Sequence, residues 1–472
     1  RAAIAAKLER LGFLSPQRAG EVRAAVLPET WHSFPARAWQ ASARAARGAR
    51  GDVYSTLDMG LQSGLQRLAL RAASDAGPDV QVAILVVETR TRAVRAAIGS
   101  ASRERPGGWL DLTAQPRSPG STLKPFIYAL AFDDGHAGPA TRIADLPKRF
   151  AAYQPENFDR LFRGDVRVAE ALQHSLNIPA VLALDRVGAE RFAASLALAG
   201  AAPRLPARAD GTPGLALALG GAGMTAQELA ILYAALGDNG VARPLIWNED
   251  AIDESLERPG YRLMGAQTAK SIRAILEATP TPAGRMPARL TANAPQIAFK
   301  TGTSYGFRDA WAAGVSDGHA IIVWVGRADG APRPGETGRR AALPLLFEVA
   351  DRALLHLGGA GPAESRLVQS SLPEARGGLS QFQTDNAPPE ILFPPRGTEL
   401  WAGSTNGQSA RPFVFAGQGQ GRLSWFVDGQ PIARDDGGLP AWRPMAAGFY
   451  RVSAVDEAGR ESAVSVRVLM ED

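Results

Sequence analysis

Strand patterns stand at the two ends of a long helix-rich stretch, and this arrangement limits the fold more than any other feature of the chain. Residues 80–87 form an apolar run and residues 93–98 follow a polar turn, so together they predict a β-hairpin. A second strand group covers residues 297–299, 310–315 and 320–326, with a turn at 316–318. Alternating helical stretches fill the region up to about residue 290. One antiparallel sheet, assembled from distant sequence and covered by helices, accommodates both strand groups and predicts an α+β domain over residues 51–358.

The remaining segments predict three further parts. Residues 1–50 have helical spacing and a helix start at Ser15-Pro16, and we interpret them as a connector following an upstream domain. Residues 359–387 are rich in glycine, proline and serine and predict a linker. Residues 388–472 carry short strand patterns with turns at 428–429 and 457–459, which predicts a small all-β immunoglobulin-like sandwich. We expect its aromatic residues to lie in the core rather than to bind glycan or a partner: Trp425, Phe426, Trp442, Phe449 and Tyr450.

Composition excludes several classes of function. The net charge of the 472-residue chain is only +5, and basic residues form no block with interleaved aromatics, so nucleic acid is a poor candidate for a partner. The absence of cysteine excludes disulfides and thiolate chemistry. The five histidines show no metal-ligand spacing, so we predict no metal and no cofactor. No apolar run reaches the roughly 18 residues that a membrane span requires.

Lysine is scarce in this chain, and the positions of the few lysines indicate that some of them act as a base. Of 52 basic residues only five are lysines, and two of these, Lys124 and Lys300, lie in short motifs with serine or threonine. A guanidinium remains protonated at any usable pH, whereas a buried ammonium can lose its proton and act as a base. The chain therefore keeps lysine where arginine would fail.

The strongest local motif is Gly120-Ser121-Thr122-Leu123-Lys124-Pro125. If a helix starts at or just before Ser121, Lys124 lies one turn further on the same face, with its amine within reach of the hydroxyl. Pro125 fits the first turn, where a backbone N–H has no intrahelical partner. Taken alone, the pattern describes an ordinary serine cap followed by a solvated lysine more often than a catalytic pair.

Two further motifs give this one its meaning. Ser175-Leu176-Asn177 follows a helical run at 168–172, and the following Ile178-Pro179 predicts an extended Ile178 and hence a chain break. Lys300-Thr301-Gly302-Thr303 lies on a predicted strand, where Gly302 bares the backbone. Each motif alone is common in ordinary helix ends and strand ends. Each of the three occurs once, in this order, and together they can converge on one cleft.

The three motifs resemble those of the penicillin-binding proteins and serine β-lactamases. Further segments are similar to the transpeptidase domain of the bifunctional class A penicillin-binding proteins, above all the 1C type: residues 117–128, 153–159, 219–223, 225–230 and 300–311. In the 1C type a C-terminal β-sandwich corresponds to residues 388–472. The resemblance includes no membrane anchor and no glycosyltransferase domain, so no second activity is expected. Leu176 stands where β-lactamases usually carry aspartate.

The resemblance implies a role for each motif residue. Ser121 would attack the penultimate D-Ala of a peptidoglycan stem peptide, Lys124 would take its proton, and backbone N–H groups of Ser121 and Thr303 would form the oxyanion hole. Ser175 would pass a proton to the leaving D-Ala, and Asn177 would orient Lys124. The terminal carboxylate would be bound by Lys300, Thr301, Gly302 and Thr303. β-Lactams would acylate the same serine, and the C-terminal domain would bind partners in cell-wall synthesis. The full-length protein would act at the periplasmic face of the bacterial inner membrane.

Two alternative functions remain open. One is hydrolysis in the same fold, by a D,D-carboxypeptidase or a β-lactamase. Neither Glu156 nor Glu170 is assigned the role of activating a deacylating water. The other is a binding or scaffold protein that has lost turnover. A Ser-His system using His174 is a weak alternative, because Lys124 already occupies the position of the base.

Overall fold

The computed structural model describes residues 2–25, 38–149, 155, 157, 161–206, 213–283, 285, 295–316, 318–358, 388–404, 412–419, 421–434, 439–457 and 459–471. The chain forms two compact units, Arg1–Trp39 and Gln40–Asp472. The first unit holds α1 (Ala2–Arg10) and α2 (Pro16–Ala24). The hydroxyl of Ser15 caps α2 by accepting the Arg18 N–H at 3.2 Å, which confirms the predicted helix start.

The second unit contains the other helices and all the strands of the described residues. The helices are α3 (Trp39–Ala45, beginning at the end of the first unit), α4 (Met59–Ala76), α5 (Lys124–Asp133), α6 (Val168–Gln173), α7 (Asn177–Val187), α8 (Ala189–Leu198), α9 (Ala226–Gly237), α10 (Ile252–Glu257), α11 (Ala266–Glu277) and α12 (Leu343–Leu357). The strands up to residue 327 are β1 (Val80–Glu88), β2 (Val94–Ile98), β3 (Arg142–Asp145), β4 (Gly164–Arg167), β5 (Val241–Ala242), β6 (Tyr261–Arg262), β7 (Ala298–Thr303), β8 (Asp309–Ser316) and β9 (His319–Arg327). Short 3₁₀ helices occupy Gly120–Leu123, Leu215–Leu219 and Glu249–Ala251, and a π-helical turn occupies Gly338–Ala342.

A five-stranded antiparallel sheet in the order β2-β1-β9-β8-β7 forms the centre of this unit. Strands from the two ends of the helix-rich stretch meet where β1 pairs with β9, in a register that runs from Val80↔Arg327 to Glu88↔His319. α4 and α12 contribute to a core on one face of the sheet, and α9 packs against β1, β8 and β9. Because both faces are covered, the strands are apolar without alternation. The predicted α+β domain is confirmed.

The C-terminal strands are β10 (Glu390–Phe393), β11 (Glu399–Ser404), β12 (Phe413–Val414), β13 (Ala416–Gln418), β14 (Ser424–Val427), β15 (Gln430–Pro431), β16 (Ala441–Trp442), β17 (Gly448–Val455) and β18 (Glu461–Glu471). The larger sheet has the order β11-β18-β17-β14-β15, and the pairs β10-β13 and β12-β16 complete the all-β part. Its own core includes Phe415, Trp425, Val452 and Val466. The small all-β domain predicted for this region is therefore present.

The expectation that five aromatic residues lie in this core is wrong for two of them. Phe426 is only partly buried and lies on the face of β14 opposite Trp425 and Val427, outside the core cluster. Phe449 is 78% exposed, since alternation along β17 places it on the outer face with Arg451, while Val452 points inward. Its ring lies 5.7 Å from the guanidinium carbon of Arg467. The predicted linker, residues 359–387, and the turn residues Asp317 and Ala458 lie outside the described residues. No helix in the described ranges combines the length and the apolarity that crossing a membrane requires.

Candidate active site

The first motif forms a continuous helical segment. A 3₁₀ helix over Gly120–Leu123 leads directly into α5, and Pro125 is the second residue of α5, as expected for a residue that needs no hydrogen-bond acceptor. Ser121 is half-buried, whereas Lys124 is fully buried. The hydroxyl of Tyr233 on α9 donates to the carbonyl of Thr122 at 2.9 Å and fixes the segment from behind. The predicted helix start at or just before Ser121 is confirmed.

Lys124 reaches the second motif through all three of its N–H bonds. Its Nζ donates to the carbonyls of Ser175 at 2.7 Å and Leu176 at 2.9 Å, and to Oδ1 of Asn177 at 2.6 Å. Ser175 adopts φ 58°, in the left-handed region, and this turns the chain between α6 and α7. These bonds join two segments that lie about 50 residues apart in the sequence, and an ammonium with three occupied donors is held in one position.

The structure corrects the expectation that Ile178 is extended. Ile178 is helical, because α7 begins at Asn177 and Pro179 lies in its first turn, where its missing N–H leaves no acceptor unsatisfied. The chain break predicted for the triplet is confirmed, and it lies at Ser175 and Leu176 between α6 and α7. The helix predicted at 168–172 is α6, whose Glu170 side chain accepts the Arg167 backbone N–H at 3.1 Å and so satisfies one donor at the start of the helix.

The third motif lies on β7, an edge strand of the central sheet. Gly120 lies so close to it that a β-carbon there would be 2.6 Å from the carbonyl oxygen of Thr303 and 2.7 Å from its nitrogen. A β-carbon on Gly302 would likewise overlap the carbonyl oxygen of Pro119. Two glycines thus allow backbone-to-backbone contact between the 3₁₀ helix and the strand. The three predicted motifs converge on one region.

The two motif lysines are both buried, and burial lowers their pKa values. The pKa of Lys124 lies well below its usual value because of burial and then the nearby charge of Lys300, and Asp145 partly opposes this shift. Burial and the charge of Arg339 lower the pKa of Lys300 to about 7. Its Nζ donates to the carbonyl of Thr301 at 3.1 Å. A fraction of each side chain is therefore neutral at a pH where an ordinary lysine is charged.

Sequence reasoning missed a buried pair behind Asn177. Asp145 ends β3 and is fully buried, and Asn157 is 4% exposed and bonds both to Asp145 and to the Asn177 backbone. Asn157 lies in one of the segments that resemble penicillin-binding proteins, but nothing assigned it a role. No sequence motif around Asp145 indicates a role for it, because its hydrogen-bond partners become its neighbours only in the folded chain.

The remaining candidates from the sequence are His174 and the pair Thr225 and Glu228. His174 is exposed, and Thr225 and Glu228 form the helix cap predicted for them, with the Thr225 hydroxyl accepting the Glu228 N–H at 3.1 Å. Among the residues that the structure describes, no group of histidine, aspartate and glutamate side chains could hold a metal ion.

Comparison with known proteins places this geometry in a family. Residues 82–333 match the penicillin binding protein transpeptidase domain, and residues 379–468 match the Penicillin-Binding Protein C-terminus Family. Penicillin-binding protein 1C of Escherichia coli (strain K12) is 39% identical over 362 residues, which cover 72% of this chain and 45% of that protein. Penicillin-binding protein 1B of Vibrio cholerae is 29% identical over 315 residues, covering 63% of this chain and 39% of that protein. The chain thus spans less than half the length of these relatives.

Solved structures share the fold. The crystal structure of penicillin-binding protein 1A from Haemophilus influenzae aligns with a TM-score of 0.58 at 16% identity, covering 87% of this chain and 80% of that one. PonA1 from Mycobacterium tuberculosis in complex with penicillin V aligns with a TM-score of 0.52 at 22% identity, covering 71% of this chain and 92% of that one. Since the family match spans more than half of the chain and includes all three motifs, the chain belongs to the penicillin-binding protein transpeptidase family.

Proposed function

We propose that this chain is a serine D,D-transpeptidase that cross-links peptidoglycan stem peptides through an acyl-enzyme on Ser121. The observation that carries the proposal is the fully buried Lys124, one helical turn from Ser121, with its ammonium bound by the segment Ser175–Asn177. Burial favours the neutral amine that a general base must be. No cofactor or metal is required for this chemistry.

The proposed acylation follows from these contacts. When Lys124 is neutral, its amine has only two N–H donors for the three acceptors that it meets, the carbonyls of Ser175 and Leu176 and Oδ1 of Asn177. One acceptor is therefore released, and the nitrogen lone pair becomes available to accept a proton. Lys124 then takes the proton of Ser121, the Oγ–carbonyl bond forms, and the backbone N–H groups of Ser121 and Thr303 stabilise the oxyanion. The C–N bond to the terminal D-Ala breaks, and Ser175 passes the proton held by Lys124 to the leaving amine. The amine of a second stem peptide then attacks the ester, its proton goes through Lys124 to Oγ of Ser121, and the new amide bond completes the cross-link.

The third motif supplies recognition in this proposal. Lys300 with Thr301 and Thr303 binds the terminal carboxylate of D-Ala-D-Ala. The peptide lies along the free edge of β7, and Gly302 contributes by letting the 3₁₀ helix that carries Ser121 approach the strand. A β-lactam carries a carboxylate at a comparable position and acylates Ser121 in the same way. The penicillin V complex of PonA1, which shares the fold, supports this expectation.

We also propose domain boundaries and a cellular location for this protein. We assign residues 51–358 to the transpeptidase domain, 359–387 to a linker and 388–472 to the β-sandwich, with residues 1–50 as a connector. Because the bacterial relatives are penicillin-binding proteins, the full-length protein acts on the cell wall at the periplasmic face of the inner membrane, and the sandwich binds partners in cell-wall synthesis.

The test is intact mass after incubation with benzylpenicillin, for the wild type and Ser121→Ala in parallel. A single stable adduct on the wild type alone, mapped to the Ser121 peptide, is the expected result. An adduct that turns over rapidly would favour a β-lactamase. Transfer of the stem-peptide acyl group to water, with no cross-linked product when an acceptor amine is present, would favour a carboxypeptidase. No adduct, together with no acylation by a stem peptide, would refute the proposal in favour of a binding protein.

A further inference from the structure

A hydrogen-bonded pair, Asp145 and Asn157, lies buried behind the candidate active site. Nδ2 of Asn157 donates to both carboxylate oxygens of Asp145, at 2.8 and 2.9 Å, and to the carbonyl of Leu161 at 2.9 Å. The Asp145 carboxylate also accepts the backbone N–H of Arg163 at 2.9 Å. Satisfied buried polar networks are rigid, because breaking any bond leaves a polar group without water. The Asn157 amide is therefore held in a single place.

The partners of this amide also dictate its orientation. Oδ1 of Asn157 accepts the backbone N–H of Asn177 at 2.7 Å. A backbone N–H can only donate and a carboxylate accepts, so a flipped amide would face a donor with its NH₂ group and a carboxylate with its oxygen. Asn177 is the first residue of α7, where a backbone N–H has no intrahelical acceptor, and Leu176 before it offers no side-chain cap. Asn157 thus caps α7 from another part of the chain.

These bonds continue into the site. Asn177 receives the Asn157 oxygen on its backbone and holds Lys124 with its side chain. We propose that Asp145 and Asn157 are positioning residues, which fix Asn177 and through it hold Lys124 in line with Ser121. This inference rests on the proposed function, because it concerns the base of that reaction.

Asp145 also places a negative charge near the buried amine of Lys124. The charged side chains that act on Lys124 are Lys300, which lowers its pKa, and Asp145, which raises it. The Tyr128 hydroxyl is buried near the same carboxylate, and burial and Asp145 both raise its pKa, so it stays neutral. Removing the charge of Asp145 lowers the pKa of Lys124 further. A residue that merely supported the fold would not change that pKa.

The experiment measures acylation of the full chain by a fluorescent penicillin as a function of pH. We expect Asp145→Asn to slow acylation about ten- to a hundredfold through lost positioning. Because the rate depends on neutral Lys124, its fall at acidic pH shifts to lower pH in this variant. Asp165→Asn is the matched control, since Asp165 lies on the adjacent strand β4 but is an exposed partner of Arg142. Its rate and pH profile should match the wild type.

A double exchange separates positioning from folding. Asn157→Asp alone places two carboxylates together and should slow acylation. Asp145→Asn combined with Asn157→Asp restores one amide donor facing one carboxylate, while position 157 continues to accept the Asn177 N–H. The Leu161 carbonyl loses the donor it has in the wild type, so part of the lost rate, and not all of it, should return. If the two substitutions only damaged the fold independently, their effects on the acylation rate would add, and the double variant would be slower than either single variant.

A second measurement does not depend on activity. The chain has only five lysines, so ¹³C-labelled lysine gives a small set of NMR titrations, and Lys124→Arg identifies the signal of Lys124. Asp145→Asn should lower the pKa of Lys124, and Asp165→Asn should not. If acylation, its pH profile and this titration are all unchanged in Asp145→Asn, the inference is wrong. If the wild type forms no Ser121 adduct, the proposed function fails, and the titration alone decides whether the pair acts on Lys124.

Discussion

At the scale of single residues, the site depends on two buried amines that an arginine-rich chain has kept as lysines. Lys124 is held by three acceptors and Lys300 lies on an edge strand near Arg339, so the two amines have different partners. Burial favours the neutral form in both, which suits a base. Lys300 would bind a carboxylate, and for this it must be charged. Because burial lowers its pKa, Lys300 is charged only over a limited pH range.

Binding of a carboxylate ligand should therefore weaken above neutral pH. With the pKa of Lys300 at about 7, the charged fraction falls about tenfold between pH 6 and pH 8. The dissociation constant of benzylpenicillin for the Ser121→Ala variant, which cannot be acylated, should rise over that range. Lys300→Arg stays charged throughout and should give a flatter profile. A constant affinity from pH 6 to 8 in the Ser121→Ala protein would contradict this role of Lys300.

At the scale of elements, the site depends on close backbone contacts between a 3₁₀ helix and an edge strand. Gly120 approaches the backbone of Thr303, Gly302 approaches Pro119, and a β-carbon on Gly220 would overlap the backbone of Gly120. The hydroxyl of Thr303 in turn accepts the Gly338 N–H at 3.0 Å, which connects the strand to the π-helical turn. The distance between Ser121 and the strand is thus set by main-chain contact.

Gly302→Ala should separate these two elements. Its β-carbon overlaps a carbonyl oxygen that cannot rotate away, so we expect a loss of about 1–3 kcal/mol in the free energy of unfolding, and at least tenfold slower acylation. Gly64→Ala on α4 is the control, since its β-carbon meets nothing within 4 Å and should stabilise the helix by about 0.5–1 kcal/mol. Denaturant unfolding and acylation rates measure both effects. Wild-type values in Gly302→Ala would disprove the tight contact.

At the scale of the whole molecule, the transpeptidase part and the sandwich have separate cores. The core around α4, α12 and the central sheet uses residues 61–353, and that of the sandwich uses residues 400–468. A cavity of about 830 Å³ lies between them, lined by Ile178 and Leu182 of α7 and by Phe393, Phe415 and Trp425 of the sandwich. The helix that begins at Asn177 packs against α5, α6, α8 and β3, all within residues 40–358.

Acylation should therefore survive without the sandwich. A chain ending at residue 358 should fold and acquire the Ser121 adduct at a rate within about threefold of the full chain, a difference below about 0.7 kcal/mol. Trp425→Ala in the full chain, which costs the sandwich about 3–5 kcal/mol of stability, should also leave that rate unchanged. Acylation kinetics and circular dichroism of the three proteins provide the check. An unfolded or unreactive shortened chain would mean that the sandwich supports the site.

Sequence patterns gave most of this architecture, because the features that carry it are local. Apolar runs buried on both faces marked β1, β8 and β9, and the proline after Lys124 marked the helix start. The errors occurred where tertiary contacts decide. The Ile178-Pro179 pair predicts an extended Ile178, but Pro179 lies in the first turn of α7. Aromatic character predicts a buried Phe449, but β17 directs its side chain outward. Asp145 and Asn157 could not be paired from the sequence, since only the fold brings them behind Asn177.

The main-chain contact beneath Ser121 also limits which substitutions the site can accept. At Gly120, Gly220, Gly302 and Gly338 one added carbon overlaps backbone atoms, so replacing any of these residues strains the fold. Under the proposed function, a substitution there that slows acylation by a β-lactam would also slow acylation by the stem peptide. Tyr305, which is 99% exposed just beyond the third motif, can change at little cost to the fold.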